Sequence, residues 1–591
     1  MAQHDGGGNR APLTRLSTEL ILHIINYLDF ISHADFAFTC KWIANCSHDL
    51  LLRHQDAHRK YKNLSDLSPE TVPTLLKSAI ELRDPIPVWH VRSFDIWGAR
   101  QAWVHWRPFN LRGSVDRTVV PLPWDYDEDA IDAYIGRLRY RMTDDQLERA
   151  RYEFKHGHDA FMKMRLISLC PRLRDLKFVN YGTRAKKSIQ WLSAAIEWHR
   201  TGEAWPSGLL ALRFVAVGVP WPDTPSYAPA TELYSTYHHY PAYTLTSLLK
   251  LPNIDSLYFS GCREPEVSGY DDPELLDLDY NEDVPVKELA ATYNLRPGCS
   301  SVKHLFLANF DGVRTNFGQM VFEAARELVS MSFRHENQYG DFDEVPVHSL
   351  GESLESLMFY NGRDWSEVHT ESYAPESIRS APRHLSMNVN EVAYSANRGC
   401  NYEELRSTLF VQYFATKAFS TRLEVLILWG SLGEQELESG DASDFLDDAV
   451  AALITSGHCP NLKIVHLEDL EHDVCNHNMA IADKIWFQKA MAAGERAGVD
   501  VYTVTNRNLK KHGLQLPKAP DQFDIATAPC SELRPDNFWF SPSTGQWEQT
   551  GCRSCGRCSD CLRVYTEELW QTIRPALRDD QDGGTEPLDE S

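Results

Sequence analysis

Four cysteines near the C-terminal end of this 591-residue chain have the closest spacing of metal-binding side chains in the sequence. Two residues separate each cysteine from the next, and the set is Cys552, Cys555, Cys558 and Cys561. Thiolates at this spacing can bind one metal ion through tight turns, and four of them match the tetrahedral coordination of structural zinc. The spacing predicts a structural zinc ion, with Cys530 as a reserve ligand and reduced, unliganded thiols as the alternative.

An iron–sulfur cluster fits this spacing poorly. The bacterial ferredoxin motif has three residues before its last cysteine and a proline after it. Here two residues precede Cys561, and Leu562 follows it. A metal-dependent redox protein would therefore rest on these four cysteines alone, and visible absorbance would be its signature.

The sequence contains none of the short motifs that organise common active sites. A P-loop, a G-x-S-x-G elbow, an H-E-x-x-H zinc pair and a dinucleotide-binding fingerprint are all absent. We therefore expect a protein that is not an enzyme, with no catalytic residues. No cofactor is expected to be required, apart from the zinc ion just described.

Composition excludes further classes of protein. The formal net charge of −24 repels phosphate backbones, so we expect no nucleic-acid partner. No apolar run approaches the ~18 residues of a spanning helix, so we expect no membrane association. The chain starts without a signal-peptide pattern, and its 13 cysteines are mostly isolated. These features indicate a reducing compartment, the cytoplasm and/or the nucleus.

A six-residue pattern, apolar-x-x-apolar-x-apolar, recurs along residues 173–467 and predicts a series of short strands. Its last two apolar positions alternate, as a strand with one buried face requires. The copies are Leu173/Leu176/Phe178, Leu209/Leu212/Phe214, Ile254/Leu257/Phe259, Val302/Leu305/Leu307, Leu328/Met331/Phe333, Leu354/Leu357/Phe359, Leu423/Leu426/Leu428 and Leu462/Val465/Leu467, with a weaker one at Leu385/Met387/Val389. A last strand, of unclear register, is expected at Val499–Val504.

Segments with helical periodicity lie between these strands, for example residues 405–414 and 445–454. One strand–loop–helix unit cannot cover its own apolar face, so neighbouring units must stack, as in a leucine-rich repeat. An ordinary doubly wound α/β domain is the alternative, but nine strands with one shared pattern favour the repeat array. Copies are 26 to 48 residues apart, so we predict an α/β fold with an irregular leucine-rich-repeat solenoid, a ribonuclease-inhibitor-like horseshoe.

The N-terminal residues 13–54 predict three short helices with more apolar surface than they can bury. Ser17 or Thr18 can cap the first helix, and the third is expected to carry Trp42 and, later, Leu50 and Leu51. Three helices in about forty residues cannot enclose a stable core alone. The surplus apolar face therefore requires a partner, either the following domain or another protein.

This block resembles the F-box, the adaptor-docking module of cullin-based ubiquitin ligases. The resemblance rests on Leu16, the Glu19–Leu20 pair, Ile24, the Tyr27–Leu28 pair and Thr39–Cys40–Lys41, and it departs at Ser17, where the family usually has proline. It implies that six residues lie on or near the surface that faces a Skp-type adaptor: Leu16, Leu20, Ile24, Leu28, Phe36 and Trp42.

With the repeats behind it, the chain resembles the fungal F-box/leucine-rich-repeat proteins, whose linker is similar to residues 90–97. The resemblance implies a non-catalytic, substrate-recognition adaptor subunit of a Skp–cullin–F-box type ubiquitin ligase. Its partners would be the Skp-type adaptor, the cullin and an unknown protein substrate. The alternative is a leucine-rich-repeat scaffold for protein interactions that do not involve ubiquitin.

The expected organisation follows the chain. It comprises a disordered N-terminus (1–12), the F-box (13–54), a helical or irregular linker packed on the repeats (55–165), the solenoid (166–507), a C-terminal extension with the cysteine cluster (508–578) and a disordered acidic tail (579–591). Residues 271–288 and 434–448 are strongly acidic. They are expected to form either solvated loops or a binding surface for a basic substrate segment.

Overall fold

The structure is a computed structural model with two compact units, Met1–Arg213 and Phe214–Ser591. It describes residues 12–28, 30–108, 128–180, 186–200, 204–220, 240–263, 286–311, 315–334, 352–360, 381–389, 392, 408–429, 442–468, 488–504, 538–541 and 546–549. Within these ranges no helix is long and apolar enough to cross a membrane. The two units are described separately below.

Helices and a small parallel sheet build the first unit. The helices are α1 (Thr18–Tyr27), α2 (Ser32–Ala37), α3 (Lys41–Cys46), α4 (His48–Tyr61), α5 (Thr71–Ile80), α6 (Ile86–Trp89), α7 (Glu128–Ile135), α8 (Asp144–His156), α9 (Ala160–Leu169), α10 (Lys186–Arg200) and α11 (Ser207–Ala211). The strands are β1 (Asn63–Ser65), β2 (Ser93–Ile96) and β3 (Asp175–Asn180), and 3-10 turns lie at Pro12–Arg15, Trp103–His105 and Gly136–Tyr140.

The N-terminal helices differ from the prediction at the third helix, which does not continue to Leu51. The chain leaves helical geometry at Ser47 (φ −90°, ψ 5°), and Leu50 and Leu51 belong to the separate helix α4. The Ser47 hydroxyl donates to the carbonyl oxygen of Ile43 at 2.7 Å. This hydrogen bond favours the end of the helix, because the serine hydroxyl satisfies a carbonyl oxygen of the last turn without a further helical turn.

The small sheet contains two strands that the repeat pattern did not predict. Phe94 of β2 pairs with Leu64 of β1 on one side and with Leu176 of β3 on the other, in parallel. Val91, Phe94 and Ile96 are all buried and fit the six-residue pattern. Residues 90–97 therefore form part of the first unit's sheet, in a segment that was predicted as linker.

The second unit is also α/β. Its strands are β4 (Phe214–Pro220), β5 (Tyr240–Pro241), β6 (Ser256–Arg263), β7 (His304–Asp311), β8 (Ser330–Arg334), β9 (Ser356–Tyr360), β10 (His384–Asn388), β11 (Val425–Trp429), β12 (Ile464–Glu468), β13 (Asp500–Val504), β14 (Phe538–Ser541) and β15 (Gln546–Gln549). Its helices are α12 (Ala242–Leu248), α13 (Val286–Thr292), α14 (Thr315–Ala324), α15 (Thr408–Thr416), α16 (Ala442–Ser456) and α17 (Gln488–Ala497).

The strands of the second unit pair in chain order. From β4 the sheet runs through β6 to β13 with parallel neighbours, β5 adds to β6, and β14 and β15 are antiparallel. One apolar residue per strand occupies the same register position and is buried, in the order Leu257, Leu305, Met331, Leu357, Leu385, Leu426, Val465 and Val501. The α/β class and the positions of these strands are thereby confirmed, including the weaker copy around Leu385.

One copy of the pattern was assigned to the wrong register. The sequence predicted Leu209/Leu212/Phe214, but Leu209 lies in α11. In the second unit Val215, not Leu212, pairs with Leu257. The error arises because Phe214, Val215 and Val217 are all buried, so alternation in the sequence does not show which face of the strand points inward.

Several predictions fall outside the described residues. Residues 1–11, the acidic tail 579–591 and the C-terminal extension 508–578, apart from β14 and β15, belong to this group. So do most of the acidic segments 271–288 and 434–448.

The helices predicted at 405–414 and 445–454 appear as α15 and α16 with shifted bounds.

Gly208 in α11 marks a close approach of two helices in the first unit and yields a stability prediction. A Cβ atom at Gly208 would lie 1.8 Å from the backbone oxygen of Ile167 in α9. Because a backbone atom cannot rotate away, Gly208→Ala should lower the free energy of unfolding by about 1–3 kcal/mol. Leu210→Ala, on the exposed side of the same helix, is the control, and thermal unfolding of both variants measures the difference. Equal melting temperatures would contradict the close packing.

Candidate functional site

The predicted adaptor-facing residues divide between a small core and the solvent. Ile21, Ile25 and Ile43 are buried, and Leu16 and Phe36 pack against them together with Cys40, Cys46 and Leu50. Leu20 is 51% exposed and Trp42 is 42% exposed, whereas Ile24 and Leu28 are half-buried. The six residues thus include two that help to hold the helices together and two that lie on the surface.

Helical periodicity explains this division. Ile21 and Ile25 are four residues apart and share the side of α1 that packs on α3. Leu20, Ile24 and Tyr27 follow the same spacing on a different side. That second side does not face the small core, because side chains one position apart on a helix point in directions about 100° apart.

The structure adds exposed apolar residues that the prediction did not include. Tyr27 is 79% exposed, Phe38 76% and Ile31 51%. Together with Leu20 and Trp42 they are called here the apolar surface of α1–α3. The signal for them was present in the sequence, because α1 and α2 carry more large apolar side chains than a three-helix core can accommodate.

A chain of histidines links α2 and α4 to the residue that follows α6. His33 Nδ1 lies 3.3 Å from His54 Nε2, and His54 Nδ1 lies 2.9 Å from His90 Nε2. Each contact requires one nitrogen that carries a proton and one that does not, an arrangement that three neutral imidazoles can supply. Trp89 packs edge-on against His54 at a centroid distance of 5.6 Å, and against Phe30 at 6.2 Å.

The surroundings of this histidine chain disfavour protonation. Burial, reinforced by the neighbouring His54, His58, Arg92 and Arg172, lowers the pKa of His90 to about 4. Burial is also the main cause of the lowered pKa of His54; His33 and Arg53 add to it, and Asp84 opposes it. The connection of α2 to α4 and His90 therefore depends on neutral rings packed among cations.

A second polar cluster lies deeper in the first unit. Lys163 on α9 is fully buried, and its Nζ lies 2.6 Å from Asp66 Oδ2, 2.9 Å from Asp159 Oδ2 and 2.6 Å from the Gly98 oxygen. Arg100 Nη1 donates to Asp159 Oδ2 at 3.1 Å. Two cations therefore balance two carboxylates, which is the condition under which charges can be buried.

This cluster connects the segments after β1 and β2 to α9. Asp66 Oδ1 also accepts from the backbone N–H of Trp97 at 2.8 Å, and Asp159 Oδ1 accepts from that of Arg100 at 2.9 Å. The Arg100 guanidinium donates to the carbonyl oxygens of Asp66, Leu67 and Arg107. Chain segments with little regular structure are thus held by a set of ionic hydrogen bonds.

The predicted zinc ligands Cys552, Cys555, Cys558 and Cys561 lie outside the described residues. Among the residues that are described, no group of three or more His, Cys, Asp or Glu side chains could hold a metal ion. The zinc site therefore stays a prediction.

The chain matches no protein-family model, and it matches no curated protein sequence.

The histidine chain predicts a local effect of pH. Because the pKa of His90 is lowered to about 4 in the folded protein from about 6.5 in an unfolded chain, the stability it contributes is complete above pH 6.5. It is lost as the pH falls towards 4. Hydrogen exchange, corrected for the intrinsic effect of pH, should show α2 and α4 losing protection before β2 and β3.

His90→Gln should weaken this pH dependence, since glutamine does not titrate. His199→Gln is the matched control, because burial, followed by Arg141, also lowers the pKa of His199 to about 4, and it has no contact with the histidine chain. Loss of the α2 and α4 effect in His199→Gln as well would show that it comes from general acid destabilisation.

Removal of Lys163 should destabilise the first unit strongly. Lys163→Met leaves Asp66 and Asp159 buried with one cation fewer, and loss of one partner from a buried ion pair costs about 3–5 kcal/mol. The control is Lys177→Met, because Lys177 is 40% exposed and lies 3.9 Å from Asp95; the cost there should be below about 1 kcal/mol. Urea unfolding measures both, and similar midpoints would contradict the role given to Lys163.

Proposed function

We propose that this chain is the substrate-recognition subunit of a Skp–cullin–F-box type ubiquitin ligase, in the cytoplasm or nucleus. The observation that carries the proposal is the apolar surface of α1–α3, where five large side chains are at least 42% exposed. Such a concentration of exposed apolar groups on a small helical block is typical of a protein-binding site. The F-box resemblance supports a Skp-type adaptor as the partner.

The strands support the second half of the proposal. In the second unit, each strand from β6 to β13 places a buried apolar residue at one register position. Strands that add in chain order with a repeated pattern are typical of a leucine-rich-repeat array. An array of this kind offers an extended strand face and long loops, and we propose that an unknown protein substrate binds there.

The mechanism requires no bond-making chemistry in this subunit. Binding of the adaptor at one site and of the substrate at another raises the effective concentration of substrate lysines near the activated ubiquitin. This advantage is lost if the connection is flexible. Within the first unit, the Lys163 cluster and the histidine chain hold α2, α4, α9 and the segments after β1 and β2 together.

Leu20→Asp tests adaptor binding with little risk to the fold. Leu20 lies in the first turn of α1, where an aspartate interacts favourably with the helix dipole. Leu20→Asp combined with Trp42→Ala should weaken capture of a purified Skp-type adaptor at least tenfold, as expected for residues central to an interface. These point variants are preferable to deletion of residues 13–54, which would also remove His54 and half of α4.

Leu82→Asp is the matched control, because Leu82 is 68% exposed and lies outside α1–α3. Adaptor binding that survives in the double variant, or that is lost equally in Leu82→Asp, would contradict the proposal. Capture of the adaptor without a cullin would instead favour the alternative, a scaffold that does not transfer ubiquitin.

A further inference from the structure

A row of cations lies at the start of the strands in the first unit. Lys62, Arg92 and Arg174 each come directly before β1, β2 and β3. The Arg92 backbone N–H donates to the Lys62 oxygen at 2.9 Å, and that of Arg174 donates to the Arg92 oxygen at 2.8 Å. The three residues are therefore neighbours across the sheet, about 4.8 Å apart from one strand to the next.

Arg172 joins this row through the ring of Trp89. Its guanidinium lies 4.3 Å from the centroid of the indole ring, and that of Arg92 lies 5.8 Å from the same ring. Arg92 Nη1 also donates to the carbonyl oxygens of Trp89 and Val91, at 2.8 and 3.2 Å. Lys62, Arg92, Arg172 and Arg174 are called here the basic cluster. Stacking and hydrogen bonds hold two of its guanidinium groups in place before any ligand binds.

The basic cluster lacks acidic partners. Within the described ranges of the chain, none of its four members forms an ion pair with a carboxylate. Asp175 follows Arg174 in the sequence, and its own pKa is raised by burial, against the opposing effect of Lys177 and Arg174. Burial, reinforced by Arg172 and Arg174, lowers the pKa of Arg92 to about 10. The members of the cluster therefore repel one another.

Four of the corresponding positions in the second unit are neutralised within the protein. Glu355, Arg383, Glu424 and Lys463 occupy the same place before β9, β10, β11 and β12. Arg383 Nε lies 2.7 Å from Glu424 Oε1, and Lys463 Nζ lies 2.8 Å from Glu424 Oε2. Uncompensated cations at the start of β1–β3 are therefore not required by strands of this kind, and they are unexpected in a chain with a net charge of −24.

We propose that the basic cluster binds a phosphate group, supplied either by a small phosphate ester or by a phosphorylated protein segment. Lys62, Arg172 and Arg174 are exposed and Arg92 is half-buried, so each of the four is accessible from solvent. A dianion would offset part of the positive charge of the cluster, and planar guanidinium groups bind phosphate oxygens in pairs. The inference does not depend on the proposed function, because the apolar surface of α1–α3 takes no part in it.

Fluorescence anisotropy of a labelled phosphoserine peptide tests the proposal in the full-length protein at constant ionic strength. The wild type should bind it saturably and should bind the matching serine peptide at least tenfold more weakly. Arg172→Gln combined with Arg174→Gln should weaken binding of the phosphopeptide at least tenfold, since both side chains are exposed and the fold should tolerate the change. Lys463→Gln is the matched control, a cation at the start of a strand that already pairs with Glu424, and should bind within twofold of the wild type.

Competition by inorganic phosphate separates the two sources. Displacement of the peptide at a phosphate concentration close to the peptide's own dissociation constant indicates a small phosphate ester, and displacement only at a large excess indicates a phosphorylated protein segment. Equal binding of the serine peptide, absence of saturable binding, or an equal loss of affinity in Lys463→Gln would overturn the proposal.

Discussion

A parallel strand can satisfy its backbone and cover its apolar face only if the next strand repeats its register. In the second unit the row from Leu257 to Val501 meets this constraint, because each strand adds one buried side chain at the same position. The hydrogen bonds that precede each strand follow the same rule; for example, Ser330 N donates to the Lys303 oxygen. A slip of one residue would turn a strand's apolar side chains to the other face. The fold requires that the apolar positions of neighbouring strands align, and it does not require a fixed number of residues between the strands. Loops of irregular length are therefore tolerated.

The first unit meets the same need with polar interactions as well as apolar ones. Its three strands are short, and the segments after β1 and β2 have little regular structure of their own. Lys163, Asp66, Asp159 and Arg100 bind these segments to α9 through charge-assisted hydrogen bonds that no solvent weakens. Elsewhere in the unit, the His33–His54–His90 chain performs a similar task with neutral rings. The first arrangement depends on charge and the second on its absence, so the two respond differently to acid.

Two groups of exposed side chains lie outside the packed core of the first unit. The buried isoleucines of α1 and α3 form a small core, whereas Tyr27 and Phe38 are largely exposed to solvent. Cations without acidic partners in the described part of the chain lie directly before β1–β3. The residues directly before β9–β12 alternate in charge and neutralise each other. The exposed aromatics add nothing to the small core, and two guanidinium groups of the basic cluster contact Trp89 but none of the described carboxylates. For both surfaces we propose ligands of complementary character, apolar in one case and anionic in the other.

The sequence by itself determined the α/β class and most of the strands, because a strand with one buried face must alternate and the pattern recurs often enough to be recognised. It also determined the surplus of apolar side chains in residues 13–54. It did not determine the register of β4, where both faces of the strand are buried, or the strands β1 and β2, which lie before the recognised repeats. The tertiary structure alone decided which apolar residues of α1 point inward. It alone brought His33, His54 and His90 together, and placed Lys163 beside Asp66, because these contacts join residues 21 to 97 positions apart. Periodicity reports local geometry, and contacts at such separations depend on how the elements pack.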